Sequence, residues 1–147
     1  MPLITDPSRL QDETNFPGLG EYLSEQGIVV EHRFQQGQAP QWLARDAAAT
    51  QAVIDGFNPL PYAKKYKAAA IKAEGLARIR AVFPAITDFD ELQLVTNIMQ
   101  SILPAAKSLT AGMTTAAQIY TAAQNALTAV QNATTVAQVR AVTPAWP

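Results

Sequence analysis

The chain lacks several residue types on which common chemistries depend. It has no cysteine, which excludes disulfides, cysteine nucleophiles and cysteine-ligated metals. It has a single histidine, His32, so a His-dependent triad or zinc site would have to use that residue. Charged residues make up 16% of the chain, below the roughly 25% of an average domain. A surface so poor in charge favours a protein that is partly covered by a partner.

Long apolar runs are also missing. No window holds the roughly 18 consecutive apolar residues that a transmembrane helix requires. The opening residues 1–16 have neither the basic region nor the apolar region of a signal peptide. We therefore expect a protein made in the cytoplasm, without a membrane partner.

One long segment carries no charge at all. Residues 108–139 contain no Asp, Glu, Lys, Arg or His. Within them we predict a helix over 114–132 with a heptad-like seam, formed by Met113, Tyr120 and Leu127 and, offset by three, Ala116, Ala123 and Val130. The opposite face is Thr, Gln and Asn. This pattern favours a helix packed on one side and covered on the other by copies in an assembly; the alternative is a lightly polar outer helix of a free monomer.

Charge is distributed unevenly along the chain. Residues 1–60 hold three Arg and eight acids, a net charge of −5, whereas residues 61–110 hold seven Lys or Arg and four acids, a net charge of +3. This asymmetry suits head-to-tail contacts between copies, although chance and ordinary solvation explain it equally well. The overall charge of −1 disfavours a nucleic-acid partner, which usually requires a basic surface.

Residues 1–45 are predicted to form an extended N-terminal arm. The best strand candidate is 28–34, in which Ile28, Val30, His32 and Phe34 fall on one face and Val29, Glu31 and Arg33 on the other. Residues 41–44 are a possible partner strand. Because a lone two-stranded hairpin is marginally stable, we expect it to pair with the rest of the chain or to add to the sheet of another subunit.

Residues 46–147 are predicted to form a helical domain, so that the fold is mainly α, a small bundle of about four helices preceded by the arm. A first short helix covers 46–55 with Asp46 as N-cap. The four bundle helices cover 60–83, 88–103, 114–132 and a short stretch after Thr134 or Thr135. The apolar stripe expected on the helix at 60–83 consists of Tyr62, Tyr66, Ala69, Ala73, Leu76, Ile79 and Phe83.

No catalytic or metal-binding constellation emerges. Asp88, Asp90 and Glu91 are explained by the preference of helix N-termini for negative charge, and Gly18-Leu19-Gly20 lacks the remainder of a phosphate-binding loop. The lysines beside Tyr62 and Tyr66 are interpreted as a solvated helix face rather than a nucleic-acid site. We predict a protein that is not an enzyme, with no cofactor, no metal and no small-molecule substrate.

Two segments resemble a known group of proteins. Residues 53–64, VIDGFNPLPYAK, and 71–79, IKAEGLARI, resemble a recurrent pattern in small tail-region proteins of tailed bacteriophages. There a short helix ending in Ile-Asp, an aromatic residue and Pro-Leu-Pro leads into a second helix. The resemblance covers roughly residues 50–147 and includes the closing Trp146-Pro147. This chain departs from the pattern at Asn58 and Gly75.

The resemblance implies a structural component of a virion, located in the tail, baseplate or fibre-attachment region. Its partners would be other virion proteins, copies of itself, or both. The alternative is a tail-fibre assembly chaperone that is absent from the mature particle. Either protein would act through subunit contacts, for which the candidate interface residues are Phe16, Leu19, Ile28, Val30, Phe34, Trp42 and Trp146.

Overall fold

The computed structural model describes residues 1–36, 38–82 and 111–147. In these ranges the chain is mainly helical with one small antiparallel sheet, which confirms the coarse fold prediction. The elements are α1 (Ser8–Gln11), α2 (Leu19–Glu25), β1 (Val30–Arg33), β2 (Gln41–Ala44), α3 (Ala47–Gly56), α4 (Leu60–Val82), α5 (Ala111–Asn132) and α6 (Val136–Ala141). The chain divides into an N-terminal unit, Met1–Ala63, and a C-terminal unit, Lys64–Pro147.

The two strands pair as a hairpin. β1 and β2 are antiparallel, with Val30 opposite Ala44 and Arg33 opposite Gln41. The expectation that 28–34 and 41–44 are partners is therefore confirmed, with β1 shorter than the candidate segment. Val30 is the partly buried residue of β1, and Glu31, His32 and Arg33 are exposed.

The hairpin receives a third segment from the start of the chain. The Ile4 N–H donates to the Trp42 carbonyl at 2.8 Å, and the Ala44 N–H donates to the Pro2 carbonyl at 3.2 Å. β2 therefore lies between the N-terminal residues and β1, and β1 is an edge strand. The sequence did not predict this pairing, because residues 1–6 are too short to show a strand period and include Pro2.

The first 45 residues contribute to a folded core. Six buried residues form one cluster in the N-terminal unit, namely Ile4, Leu19, Leu23, Ala44, Ile54 and Phe57. Four of the six come from the segment predicted as an extended arm. The boundary expected between residues 45 and 46 falls instead after residue 63, because α3 supplies Ile54 to the same core. Short elements joined by turns leave no long apolar period, so the sequence pattern resembled an arm.

Two glycines in this unit take left-handed backbone conformations. Gly27, at φ 69°, follows the end of α2, and the next residue, Ile28, donates its N–H to the Leu23 carbonyl at 2.9 Å. Gly18, at φ 82°, precedes α2, and a Cβ at this position would lie 2.6 Å from the Cβ of Tyr62. Both the backbone conformation and the close approach of Tyr62 therefore require glycine at position 18.

Two predicted helix starts, at Asp46 and Thr135, are confirmed by side-chain caps, and a third cap precedes α4. Asp46 accepts a hydrogen bond from the Ala49 N–H at 3.0 Å, at the start of α3. Thr135 accepts one from the Gln138 N–H at 3.1 Å, at the start of α6. Asn58 accepts one from the Leu60 N–H at 3.1 Å, just before α4. Caps were predictable because they depend on residues within one turn.

The buried face of α4 differs from the predicted stripe. Ala69 and Ala73 are exposed, and Tyr66 is 41% exposed, so those assignments were wrong. The buried positions of α4 beyond residue 63 are Ile71, Gly75 and Ile79, which recur every four residues. The stripe was misplaced because the buried face includes a glycine and half-buried lysines, which a search for apolar residues passes over. Phe83 and the predicted helix over 88–103 lie outside the described residues.

The seam predicted on the charge-free helix is present in part. Ala116, Ala123 and Val130 of α5 are buried, as expected, and Tyr120 and Leu127 are half-buried. The side chain of Met113 lies outside the described residues. The exposed face carries an uncharged polar stripe with spacings of three and four, formed by Gln118, Thr121, Asn125, Thr128 and Asn132. α5 is thus amphipathic without any charged side chain.

Candidate interaction surface

Exposed apolar side chains near the sheet are the main surface feature of the N-terminal unit. Val29 is 70% exposed and Phe34 is 72% exposed, and these residues flank β1. Leu3 is 53% exposed and bridges to Leu43 of β2. Within the described residues, no group of three His, Cys, Asp or Glu is placed to hold a metal ion, and no helix is long and apolar enough to cross a membrane.

The hydrogen-bonding direction of β1 follows from that of β2. Trp42 and Ala44 use their backbone groups on the N-terminal segment. Neighbouring residues of a strand point their backbone groups to opposite sides. The N–H and C=O groups of Gln41 and Leu43 therefore point toward β1. Arg33 and Glu31 lie opposite these two residues, so their N–H and C=O groups point toward β2.

It follows that Val30 and His32 direct their N–H and C=O groups away from the sheet. No strand among the described residues pairs with β1 on that side. We call this side, together with the flanking residues Val29 and Phe34, the β1 edge. An edge strand of this kind is able to accept a further strand through main-chain hydrogen bonds.

The two charged side chains of β1 share one face. Glu31 and Arg33 are separated by one residue, and an Arg33 guanidinium nitrogen lies 4.0 Å from a Glu31 carboxylate oxygen. Both side chains are more than half exposed, at 51% and 57%, so the ion pair contributes little to the stability of the chain. Opposite charges at positions i and i+2 of an edge strand are nevertheless available to a neighbouring strand.

The opposite face of β1 carries an aromatic group centred on His32. The His32 ring stacks on Trp42 with centroids 4.1 Å apart and planes at 18°, and it meets Phe34 edge-on at 4.2 Å. The indole N–H of Trp42 is buried and has no acceptor among the described residues. The exposed His32 ring thus contributes aromatic contacts at the surface of the hairpin.

The seven predicted interface residues lie in different environments. Leu19 is buried at 3% exposure in the N-terminal core, and four others are partly buried against that core, namely Phe16, Ile28, Val30 and Trp42. Phe34 is exposed. Trp146 lies against its own chain, with the Arg78 guanidinium carbon 4.9 Å from the ring centroid. The structure thus brings Val30, Phe34 and Trp42 together at the hairpin.

A polar contact holds the start of α4 on the N-terminal unit. The Tyr62 hydroxyl donates to a carboxylate oxygen of Glu25, at the end of α2, at 2.6 Å. This hydrogen bond, helped by burial, raises the pKa of Tyr62 to about 12. The Tyr62 ring also packs beside Phe57 and Tyr22, with centroid distances of 5.5 Å and 6.3 Å. Aromatic packing and one short hydrogen bond therefore hold Tyr62 against α2 and Phe57.

Two lysines of α4 contact the C-terminal ends of other helices. Lys64 Nζ donates to the Gln131 carbonyl in the last turn of α5 at 2.7 Å, and Lys67 Nζ donates to the Arg140 carbonyl in the last turn of α6 at 3.5 Å. A cation at a helix C-terminus is favoured by the helix dipole. These two lysines, interpreted from sequence as part of a solvated face, therefore have a structural role.

Sequence reasoning missed Glu31 and Arg33 as surface residues of interest. The available signal was their opposite charge at i and i+2 on a predicted strand, next to exposed apolar positions. No protein-family model, no curated protein and no solved structure matches the chain, so the description of this surface depends on its own residues.

Proposed function

We propose that this chain is a non-enzymatic structural component of a bacteriophage virion, in the tail, baseplate or fibre-attachment region, acting through subunit contacts. The observation that carries the proposal is the β1 edge, a strand with outward backbone groups flanked by the 70% exposed Val29 and the 72% exposed Phe34. Such an edge is a recognised site for strand addition. The choice of a virion is supported by the resemblance of residues 53–64 and 71–79 to phage tail-region proteins.

The low charge of the C-terminal unit supports the same proposal. α5 presents Thr, Gln and Asn on its exposed face and no ionisable group, whereas a freely dissolved helix usually carries Lys and Glu. Small uncharged side chains permit the close approach of another backbone. The work of the protein would then be binding and geometry, with its partners being other virion proteins or further copies of the chain.

Copy number in purified particles tests the proposal. Quantitative mass spectrometry should find the chain at a fixed ratio to the other particle proteins, retained through density-gradient purification. Presence in the infected-cell lysate but absence from particles would overturn the structural assignment and identify a chaperone that leaves on assembly. Absence from any particle-assembly intermediate would overturn both phage functions.

A further inference from the structure

The β1 edge has a sequence that is complementary to itself. In an antiparallel pair of two β1 strands related by a two-fold axis, each residue faces a residue of the other copy at a position set by the centre of the pair. The N–H and C=O groups that point outward from one copy must lie opposite outward-pointing N–H and C=O groups of the other copy. In each copy these groups belong to Val30 and His32, which are two residues apart. The two-fold axis must therefore pass through a residue and cannot pass between two residues.

The side-chain charges distinguish between the residues on which the pair could be centred. A pair centred on residue 31 would place Glu31 opposite Glu31 of the second copy, and a pair centred on residue 33 would place Arg33 opposite Arg33. Like charges directly opposite are destabilising. A pair centred on residue 30 would place Glu31 opposite Val29 and leave its charge without a partner across the strands.

A pair centred on His32 avoids like charges opposite each other and leaves no charge without an opposite partner. Glu31 then faces Arg33 of the second copy, and Arg33 faces Glu31, which gives two opposite-charge pairs on one face. On the other face Val30 meets Phe34, and the two His32 rings meet at the axis. Phe34, at 72% exposure, gains an apolar neighbour, and the His32–Trp42 stack extends across the junction.

We propose that the β1 edge is a self-association surface, on which a second copy of this chain adds its own β1 antiparallel and in register about His32. This inference rests on the proposed function and specifies the partner at that surface. It joins the two hairpins and their N-terminal segments into one continuous sheet across two copies. The charges at 31 and 33, which would oppose pairing with an unrelated strand, favour pairing with this one.

The pairing is weak for two isolated chains. One short ladder buries less than the roughly 1,200 Å² of a standard stable interface. Copies held side by side by other contacts in an assembly would raise the effective concentration of the edges and strengthen it. A contact of this kind suits a protein that must remain separate during synthesis and join its copies within a particle.

Cysteine cross-linking tests the register. Because the chain has no cysteine, each single substitution introduces the only thiol. In His32→Cys the two Cα atoms would lie about 5.5 Å apart, within the span of a disulfide. In Glu31→Cys they would lie about 8 Å apart across the axis, too far for one. We expect His32→Cys to form disulfide dimers at least about tenfold faster than Glu31→Cys and than Asn125→Cys, a control on the exposed face of α5.

Charge exchange tests the complementarity. Glu31→Arg and Arg33→Glu each replace attractive pairs by repulsive ones in the self-pair, and we expect each variant alone to dimerise roughly tenfold more weakly in sedimentation at high protein concentration. Mixing the two variants restores opposite charges at both positions, so dimerisation should return to within about twofold of the parent. The double variant Glu31→Arg/Arg33→Glu should also return, which controls for effects on folding.

The outcomes separate the inference from the proposed function. Equal cross-linking rates at 31, 32 and 125, or no recovery on mixing the charge variants, would overturn the self-association surface. If the chain is still found at a fixed copy number in particles, the structural function stands and another surface makes the contact. Cross-linking of His32→Cys particles to a different protein would likewise overturn the inference and assign the edge to that protein.

Discussion

The two units of this chain reach a buried interior by different means. The N-terminal unit buries large side chains from short elements, among them Ile4, Leu23, Ile54 and Phe57. The C-terminal unit uses long helices, and the buried face of α5 is rich in alanine. Because the free energy of burial grows with apolar area, each buried residue contributes more in the first unit. In the second unit, small side chains make shape and regular helix geometry more important than size.

The chain offers a separate optical probe for each unit. Its two tryptophans are Trp42, in the N-terminal unit, and Trp146, in the C-terminal unit. Trp146→Phe leaves fluorescence from the first unit alone, and Trp42→Phe leaves fluorescence from the second. Unfolding by urea followed in these two backgrounds tests the comparison one unit at a time.

The largest effect is expected from Ile54→Ala in the N-terminal unit. Ile54 is fully buried at 0% exposure, so truncation leaves a cavity and should lower the free energy of unfolding by about 2–5 kcal/mol. Trp42 fluorescence in the Trp146→Phe background measures this loss. The matched variant Ile54→Val should cost only about 0.5–1.5 kcal/mol. A loss below about 1 kcal/mol for the alanine variant would show that this core does not depend on large side chains.

Enlarging an alanine should be the damaging change in the C-terminal unit. Ala123 is at 0% exposure, and Ala123→Leu inserts three carbons where α5 is closely packed. We expect a loss of about 1–3 kcal/mol in unfolding free energy, followed by Trp146 fluorescence in the Trp42→Phe background. Ala129→Leu, on the exposed side of the same helix, should change stability by less than about 0.5 kcal/mol. Equal effects at both positions would contradict a close-packed alanine face.

A smaller effect is expected from Lys64→Met. The substitution keeps the aliphatic stem but removes the ammonium that bonds the Gln131 carbonyl at the end of α5. The expected loss is about 0.3–1 kcal/mol, measured by Trp146 fluorescence in the Trp42→Phe background. Lys64→Arg retains the charge and should recover most of the loss. If the Lys64→Met variant is as stable as the parent protein, the contact of Lys64 with the end of α5 is not a stabilising cap.

The smallest effect at neutral pH concerns Tyr62, and it becomes visible in alkali. The Glu25 hydrogen bond raises the Tyr62 pKa from 10.0 to about 12, so the folded state favours the neutral phenol. The resulting stability is fully present below pH 10 and is lost as the pH rises to about 12. We expect Tyr62→Phe and Glu25→Gln to remove this part of the alkaline decline, measured by urea midpoints from Trp42 fluorescence. An unchanged decline in both variants would contradict the assignment.

Local features of the fold were predictable from sequence, and long-range ones were not. Asp46 and Thr135 mark helix starts through hydrogen bonds within one turn, and the strand pair at 28–34 and 41–44 is close in sequence. The addition of residues 2–4 beside β2 joins segments about forty residues apart, and no local pattern encodes it. The face of α4 was predicted only in part: Ile79 is buried as expected, but Gly75 and half-buried lysines also line that face, and a search for apolar residues passes over them.

The candidate surface was predictable to a similar degree. Alternation along residues 28–34 indicated a strand, and its apolar residues were proposed as contacts. Whether each was exposed depended on the tertiary fold: Leu19 is in the core, whereas Phe34 is open to solvent. The role proposed for Glu31 and Arg33 depends on which side of β1 is open, and the pairing with β2 determines that side.

The absence of charged side chains from residues 108–139 gives the two surfaces different responses to ionic strength. The Debye length falls from about 8 Å at 0.15 M salt to about 3 Å at 1 M. A contact through Glu31 and Arg33 would weaken over that range. A contact through the Thr, Gln and Asn stripe of α5 would keep its affinity, because no charge is there to be screened. Disassembly in concentrated salt would therefore proceed at the sheet while any helix-mediated contact persists.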